Sequence, residues 1–129
     1  MTRVMAREEA FILIFEKIFN KEATTEEILE LAYEVRDLEA DDYIKTVFSG
    51  VFENVDALDA LISEKAVGWK ISRISKTSLA ILRLAIFEIK FMDDIPESVS
   101  INEAVELCKK YATKEDASIV NGILASVVK

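Results

Sequence analysis

The stretch SINEAVELCKKYATKEDASIVNGIL (residues 100–124) decides the fold. It contains Asn121-Gly122 between two short apolar runs, and Asn-Gly in that setting is the strongest local signal for a β-hairpin. The surrounding residues read differently. Ile119, Val120, Ile123, Leu124, Val127 and Val128 recur at i, i+1, i+4, i+5, i+8 and i+9, a helical stripe without strand alternation. The dipeptide therefore falls inside a helix that begins at Thr113 or Asp116. Gly122, with Ser118 and Ser126 one turn to either side, makes a strip of small residues on which another helix can pack closely. Asn121 is expected to bridge to a neighbouring backbone or side chain.

The same periodicity extends along the chain. A first helix is predicted over about 3–19, apolar on more than one face through Phe11, Leu13, Ile14, Phe15, Ile18 and Phe19, as a central helix would be. Thr24-x-x-Glu27 has the form of a capping box, in which the threonine hydroxyl and the glutamate each satisfy a free amide of the helix start. Ile28, Leu31, Ala32, Val35 and Leu38 follow it at helical spacing. Asp41 or Asp42 caps a long helix that runs to about Lys65. Gly50 lies inside that helix at a cost of about 1 kcal/mol against alanine, which a close helix crossing would justify. VGWKISRISKTS (67–78) reads as a loop or one short helical turn, and a helix from about Ser75 to Met92 comes after it, its inner face carrying Leu79, Leu82, Ala85, Ile86 and Ile89. Pro96 breaks the chain there. Ser100-x-x-Glu103 reads as a second capping box, opening a helix through Tyr111. The expected architecture is a single all-α domain, 1–129, of about six or seven helices.

Composition agrees with this reading. The 129 residues include only 3 Gly and 1 Pro, too few for a protein of turns and short strands, and 51% are hydrophobic, enough for a proper core. Net charge is −8, and its distribution is uneven. Between Lys21 and Asp42 nine acidic residues face two basic ones, whereas Lys65, Lys70, Arg73, Lys76 and Arg83 are unopposed by any acid between Lys65 and Phe87. The two readings are a molecule with a basic and an acidic side, or two solvated helix faces of opposite sign.

Most chemistry is excluded by residue type. There is no His and a single Cys, so no Cys/His or Ser/His/Asp constellation and no Cys/His zinc site can be built. Cys108 alone cannot form an internal disulfide and is expected to be a buried, inert thiol in a reducing compartment. No Gly-rich phosphate loop occurs. AFILIF (10–15) is bracketed by Glu9 and Glu16, and LAILRLAIFEIKF (79–91) is interrupted by Arg83 and Glu88. Neither has the form of a signal peptide or a membrane span. A cytoplasmic binding module with no membrane contact is expected.

Three linked stretches carry a resemblance. They are AREEAFILIFE (6–16); Trp69 and Arg73 ahead of ILRLAIFE (81–88); and Pro96 followed by VSINEAVEL (99–107) and VNGIL (120–124). Tyr43, Gly50 and Val51 fall between the first two. Together these resemble the NusB family of bacterial transcription antitermination factors over nearly the whole chain. The resemblance implies a compact helical fold with no catalysis and no cofactor. It implies binding of boxA RNA in nascent ribosomal RNA transcripts, together with the ribosomal protein NusE, and an indirect link to other Nus factors and RNA polymerase. Carried over residue by residue, it points to Arg3, Arg7, Phe15, Lys76 and Lys114 as RNA contacts and to Glu115, Asp116 and Glu88 as partner contacts. Phe15 can instead sit in the core. The family's arginine cluster is reduced here to Arg3 and Arg7 beside Glu8 and Glu9, and Ile119 stands where the family usually has Phe before VNG. NusB-like chains also occur as homodimers and as accessory domains of RNA methyltransferases, and both remain alternatives.

Overall fold

Five short polar side chains set where five helices begin. In a computed structural model, which describes residues 1–68 and 70–129, Thr2 accepts from the Met5 amide and opens α1 (Arg3–Phe19). Thr24 and Glu27 form the expected capping box of α2 (Thr25–Val35). Asp41 accepts from the Ile44 amide to open α3 (Asp42–Glu53), and Ser75 does the same for α5 (Lys76–Phe91) through the Ser78 amide. Thr113 and Asp116 cap α7 (Lys114–Val127) reciprocally. Each bond satisfies an amide that has no partner within its helix. With α4 (Val55–Lys65) and α6 (Glu97–Tyr111) the described residues form seven α-helices, one 3₁₀ turn at Ile71–Arg73 and no strand. Trp69 of the second sequence motif lies outside the described residues.

Two helix boundaries differ from expectation. The long helix predicted from Asp42 to Lys65 is two helices, α3 and α4, divided at Asn54. The Asn54 amide side chain donates to the Gly50 carbonyl at 2.8 Å, and its backbone N–H reaches Gly50 and Val51, so the last carbonyls of α3 are satisfied locally. The apolar stripe hid the break, because Val51, Leu58 and Ile62 stay in helical phase across it. The second capping box is also absent. α6 starts a turn earlier, at Glu97 behind Pro96, and Ser100 lies within the helix. Proline suits that entry, since a helix start has no use for the missing amide.

The centre of the molecule is α5, with α1 lying against it. Apart from Arg83, every α5 residue from Ser78 to Glu88 is buried, so the helix is enclosed nearly all round rather than on one face. It packs on α1, α3, α4, α6 and α7. A Cβ on Gly50 would overlap the Phe87 ring, so the glycine admits α5 against α3, as its position inside a helix suggested. Gly122 behaves differently. A Cβ there would meet nothing within 4 Å, so among the described residues no helix packs closely on Gly122. Asn121 is exposed, and its side chain makes no hydrogen bond among the described residues.

One polar junction interrupts the apolar core. Glu88 of α5 is wholly buried at 0% exposure, and Arg7 of α1 is at 3%. Arg7 Nε donates to Glu88 Oε2 at 2.7 Å and Nη2 to Oε1 at 3.4 Å. The Tyr43 hydroxyl of α3 donates to Oε2, and the Ser100 hydroxyl of α6 donates to Oε1 at 2.8 Å. Burial works to lower the Arg7 pKa, but the hydrogen bond and charge of Glu88 outweigh it and leave it raised. Burial and the Glu88 charge push the Tyr43 phenol well above its ordinary range, so it remains a donor. Both carboxylate oxygens are thus saturated, which an ionised group needs away from water. Removing one partner strands the other charge. Arg7→Met should lower stability by about 3–5 kcal/mol in urea unfolding, and Arg7→Met with Glu88→Leu should recover part of that loss. Equal stability of the single variant and the parent would contradict a buried ion pair.

Cys108 is buried in the same core, and desolvation first, then the charge of Asp116, pushes its thiol up to about 12. Thiolate is the reactive form. The folded chain should therefore resist a thiol-reactive disulfide reagent at pH 8 and react within the mixing time once unfolded in denaturant. Rapid labelling of the native chain would show the thiol open to solvent.

Candidate nucleic-acid interface

The opening helix builds one edge of aromatic rings. Phe11, Phe15 and Phe19 recur every fourth residue and so lie along one line of α1. Their centroids are 6.2 Å (Phe11–Phe15) and 5.1 Å (Phe15–Phe19) apart. Tyr111, at the end of α6, continues the line 5.0 Å from Phe11. Exposure grows toward both ends: Phe11 is buried, Phe15 half-buried, Tyr111 exposed and Phe19 65% exposed. Phe15 is thus partly packed against the core, with the rest of its ring on the edge. Phe19 and Tyr111 were not singled out from the sequence, although the i, i+4, i+8 spacing marks the first of them.

Cations flank this edge. Lys110 donates to Glu8 Oε2 at 2.6 Å and sits 5.4 Å from the Tyr111 ring centroid. Its hydrogen bond to Glu8 holds its pKa above the ordinary lysine value. Arg3 is exposed and lies over the Tyr43 ring at 4.6 Å, roofing the buried junction from outside. Lys114, the first residue of α7, is exposed and forms no ion pair among the described residues. Glu115 is exposed beside it, while the Asp116 carboxylate is engaged in its capping box. Both acids suit the positive end of the helix.

Two expected contact residues are internal. Arg7 was expected at the RNA and Glu88 at a partner. The structure buries both, paired to each other, because a charge on the enclosed face of α5 needs an opposite charge from α1. Neither side chain is available at the surface, and their role is to fix α1 on α5. Lys76 is exposed but lies elsewhere, lining a depression of about 270 Å³ with Lys17, Lys21 and Arg83 around Phe52. Arg83 is spent on Asp59, with bonds of 2.9 and 2.8 Å. Lys17 donates to the Ala23 carbonyl at 2.6 Å. The basic run read between Lys65 and Phe87 is therefore partly neutralised.

Acidic residues gather on the other side of α1. Glu8 pairs with Lys110 of α6, whereas its neighbour Glu9 pairs with Arg36 at the end of α2 at 3.2 Å. Neighbouring helix positions point about 100° apart, so α2 and α6 flank α1 on different sides. α2 exposes Glu26, Glu27, Glu30 and Glu34. The aromatic edge, which continues onto Tyr111 of α6, is thus on a different side of α1 from Glu9 and its α2 partner. Among the described residues no group of three His, Cys, Asp or Glu side chains could hold a metal ion, and no helix is long and apolar enough to cross a membrane.

The whole chain compares with proteins of one family. The family model described as the NusB family matches residues 5–129. The transcription antitermination protein NusB of Agathobacter rectalis is 47% identical over 128 residues, covering 97% of this chain and 98% of the relative. That of Acetivibrio thermocellus is 48% identical over 131 residues, covering 100% and 90%. Among solved structures, T. maritima NusB superposes with a TM-score of 0.84 at 33% identity, over 98% of this chain and 90% of that one. The antitermination factors NusB and NusE in complex with dsRNA give a TM-score of 0.84 at 23% identity, over 98% and 97%, a likeness of fold. A family match over residues 5–129, relatives near half identity over nine-tenths or more of their length, and the same helical fold leave one assignment: this chain belongs to the NusB family.

Proposed function

We propose that this chain is a bacterial transcription antitermination factor that binds boxA RNA of nascent ribosomal RNA transcripts together with NusE. Family membership over residues 5–129 carries the reading. The surface supports it in physical terms. Unpaired bases stack on aromatic side chains, and the line from Phe19 to Tyr111 offers such faces beside Lys110, with exposed Lys114 opening the next helix. The net charge is −8, and by the edge Lys110 is already paired with Glu8, so the chain alone gains little from phosphate contact. A basic ribosomal protein docked on an acidic chain supplies the missing positive surface and steers the encounter. Exposed Glu115 at the α7 start is one contact for it, beside Lys114 for RNA.

The test is a salt titration of boxA and scrambled RNA binding, with the chain alone and with NusE. The expected result is weak binding alone, with a slope of log K on log salt near −2, as about three phosphate contacts give on a single strand. With NusE, preference for boxA should rise sharply. Equal affinity for boxA and scrambled RNA in both arms would overturn the reading.

A further inference from the structure

The two sequence motifs INEA and VNG leave their asparagines unexplained by packing. Asn102 of α6 and Asn121 of α7 are both exposed, and neither side chain forms a hydrogen bond among the described residues. The fold brings them to one place. They line a groove of about 730 Å³ between the two helices. On α6 its wall is Asn102, Val105 and Lys109, at i, i+3 and i+7; on α7 it is Lys114, Ala117 and Asn121, at the same spacing. Only Ala112 and Thr113 separate the helices, so they run antiparallel. The groove therefore has a cationic end, with Lys109 and Lys114 near the connection, and an amide end, with Asn102 and Asn121 about two turns away. By the helix rise the ends are about 10 Å apart.

We infer that this groove is a nucleotide-reading subsite, which seats one unstacked base of single-stranded RNA at the two amides and its neighbouring phosphate at the two lysines. The inference rests on the RNA-binding reading above. Each amide presents a donor and an acceptor side by side, the pattern that pairs with a base edge. The floor between, Val105 and Ala117, is apolar and accepts the flat face of a base. Glu106 also lines the groove and pairs with Lys109 at 3.2 Å, an exposed i, i+3 contact weak enough for a phosphate to displace. Lys114, with no ion pair among the described residues, is left for phosphate. Six of the eight lining residues are polar or charged, Ser118 among them, which favours RNA over an apolar helix of a partner protein. Tyr111 ends α6 two positions after Lys109, about 200° round the helix, so the aromatic edge and the groove lie on different sides of α6 and a strand that uses both passes over the α6–α7 connection.

The test uses the chain with NusE, boxA RNA, a set of boxA RNAs each changed at one base, and scrambled RNA. Asn→Ala raises helix propensity, so Asn102→Ala with Asn121→Ala should fold. This double variant should bind boxA about tenfold more weakly and lose the parent's preference at one nucleotide, with scrambled RNA and the salt slope unchanged. Lys109→Gln with Lys114→Gln should instead weaken every RNA and flatten the salt slope. If the parent prefers boxA and the asparagine variant keeps that preference at every base, the groove assignment falls while the functional reading stands. If the variant loses affinity for NusE and not for RNA, the occupant is a polypeptide and the assignment is wrong. If the parent shows no preference for boxA, both fall.

Discussion

The carboxylate of Glu88 holds the molecule together in a way the apolar core alone does not. A helix enclosed on all sides can rotate or slide among oily neighbours at modest cost, since hydrophobic contact has no direction. Glu88 removes that freedom. Its oxygens receive Arg7 from α1, Tyr43 from α3 and Ser100 from α6, so one buried charge fixes three helices around α5. Replacing the pair by apolar side chains need not lower stability, but it would leave the angle of α1 to packing alone. Arg3 above Tyr43 extends the same arrangement to the surface.

The surface depends on that junction. α1 carries the aromatic line, and the direction in which Phe15 and Phe19 face is set by how α1 is rotated on α5. Arg7 and Phe11 are four residues apart, on adjoining turns, so holding Arg7 on Glu88 points Phe11 at Tyr111. The acidic helix α2 falls on another side of α1, through Glu9 and Arg36. An acidic protein can in this way keep one face fit for RNA.

Much of this was legible in the sequence, and the failures have physical causes. The helix starts at Thr24, Asp41 and Thr113 were readable because short polar residues at caps act locally. The Asn-Gly dipeptide was correctly overruled by the apolar period around it. The break at Asn54 was invisible, since one asparagine can end a helix and begin the next without disturbing the stripe. Ser100 was misread as a cap because its true partner, Glu88, is a tertiary contact twelve residues back. For the same reason Arg7 and Glu88 looked like surface charges. Composition places charged residues outside, and only the three-dimensional arrangement reveals that two of them meet. Gly50 and Gly122 illustrate the limit on both sides. One glycine admits a ring, and the other faces open space, with nothing in the local sequence to tell them apart.

The most direct measurement is an NMR titration of the isotope-labelled chain, with NusE bound, by boxA RNA. Shifts should concentrate on Phe15, Phe19, Tyr111 and Lys114 and on both asparagines of the α6–α7 groove, while the backbone amides of α2 stay in place. Shifts centred on α2, or none at the aromatic edge, would contradict an RNA face organised by the seating of α1 on α5.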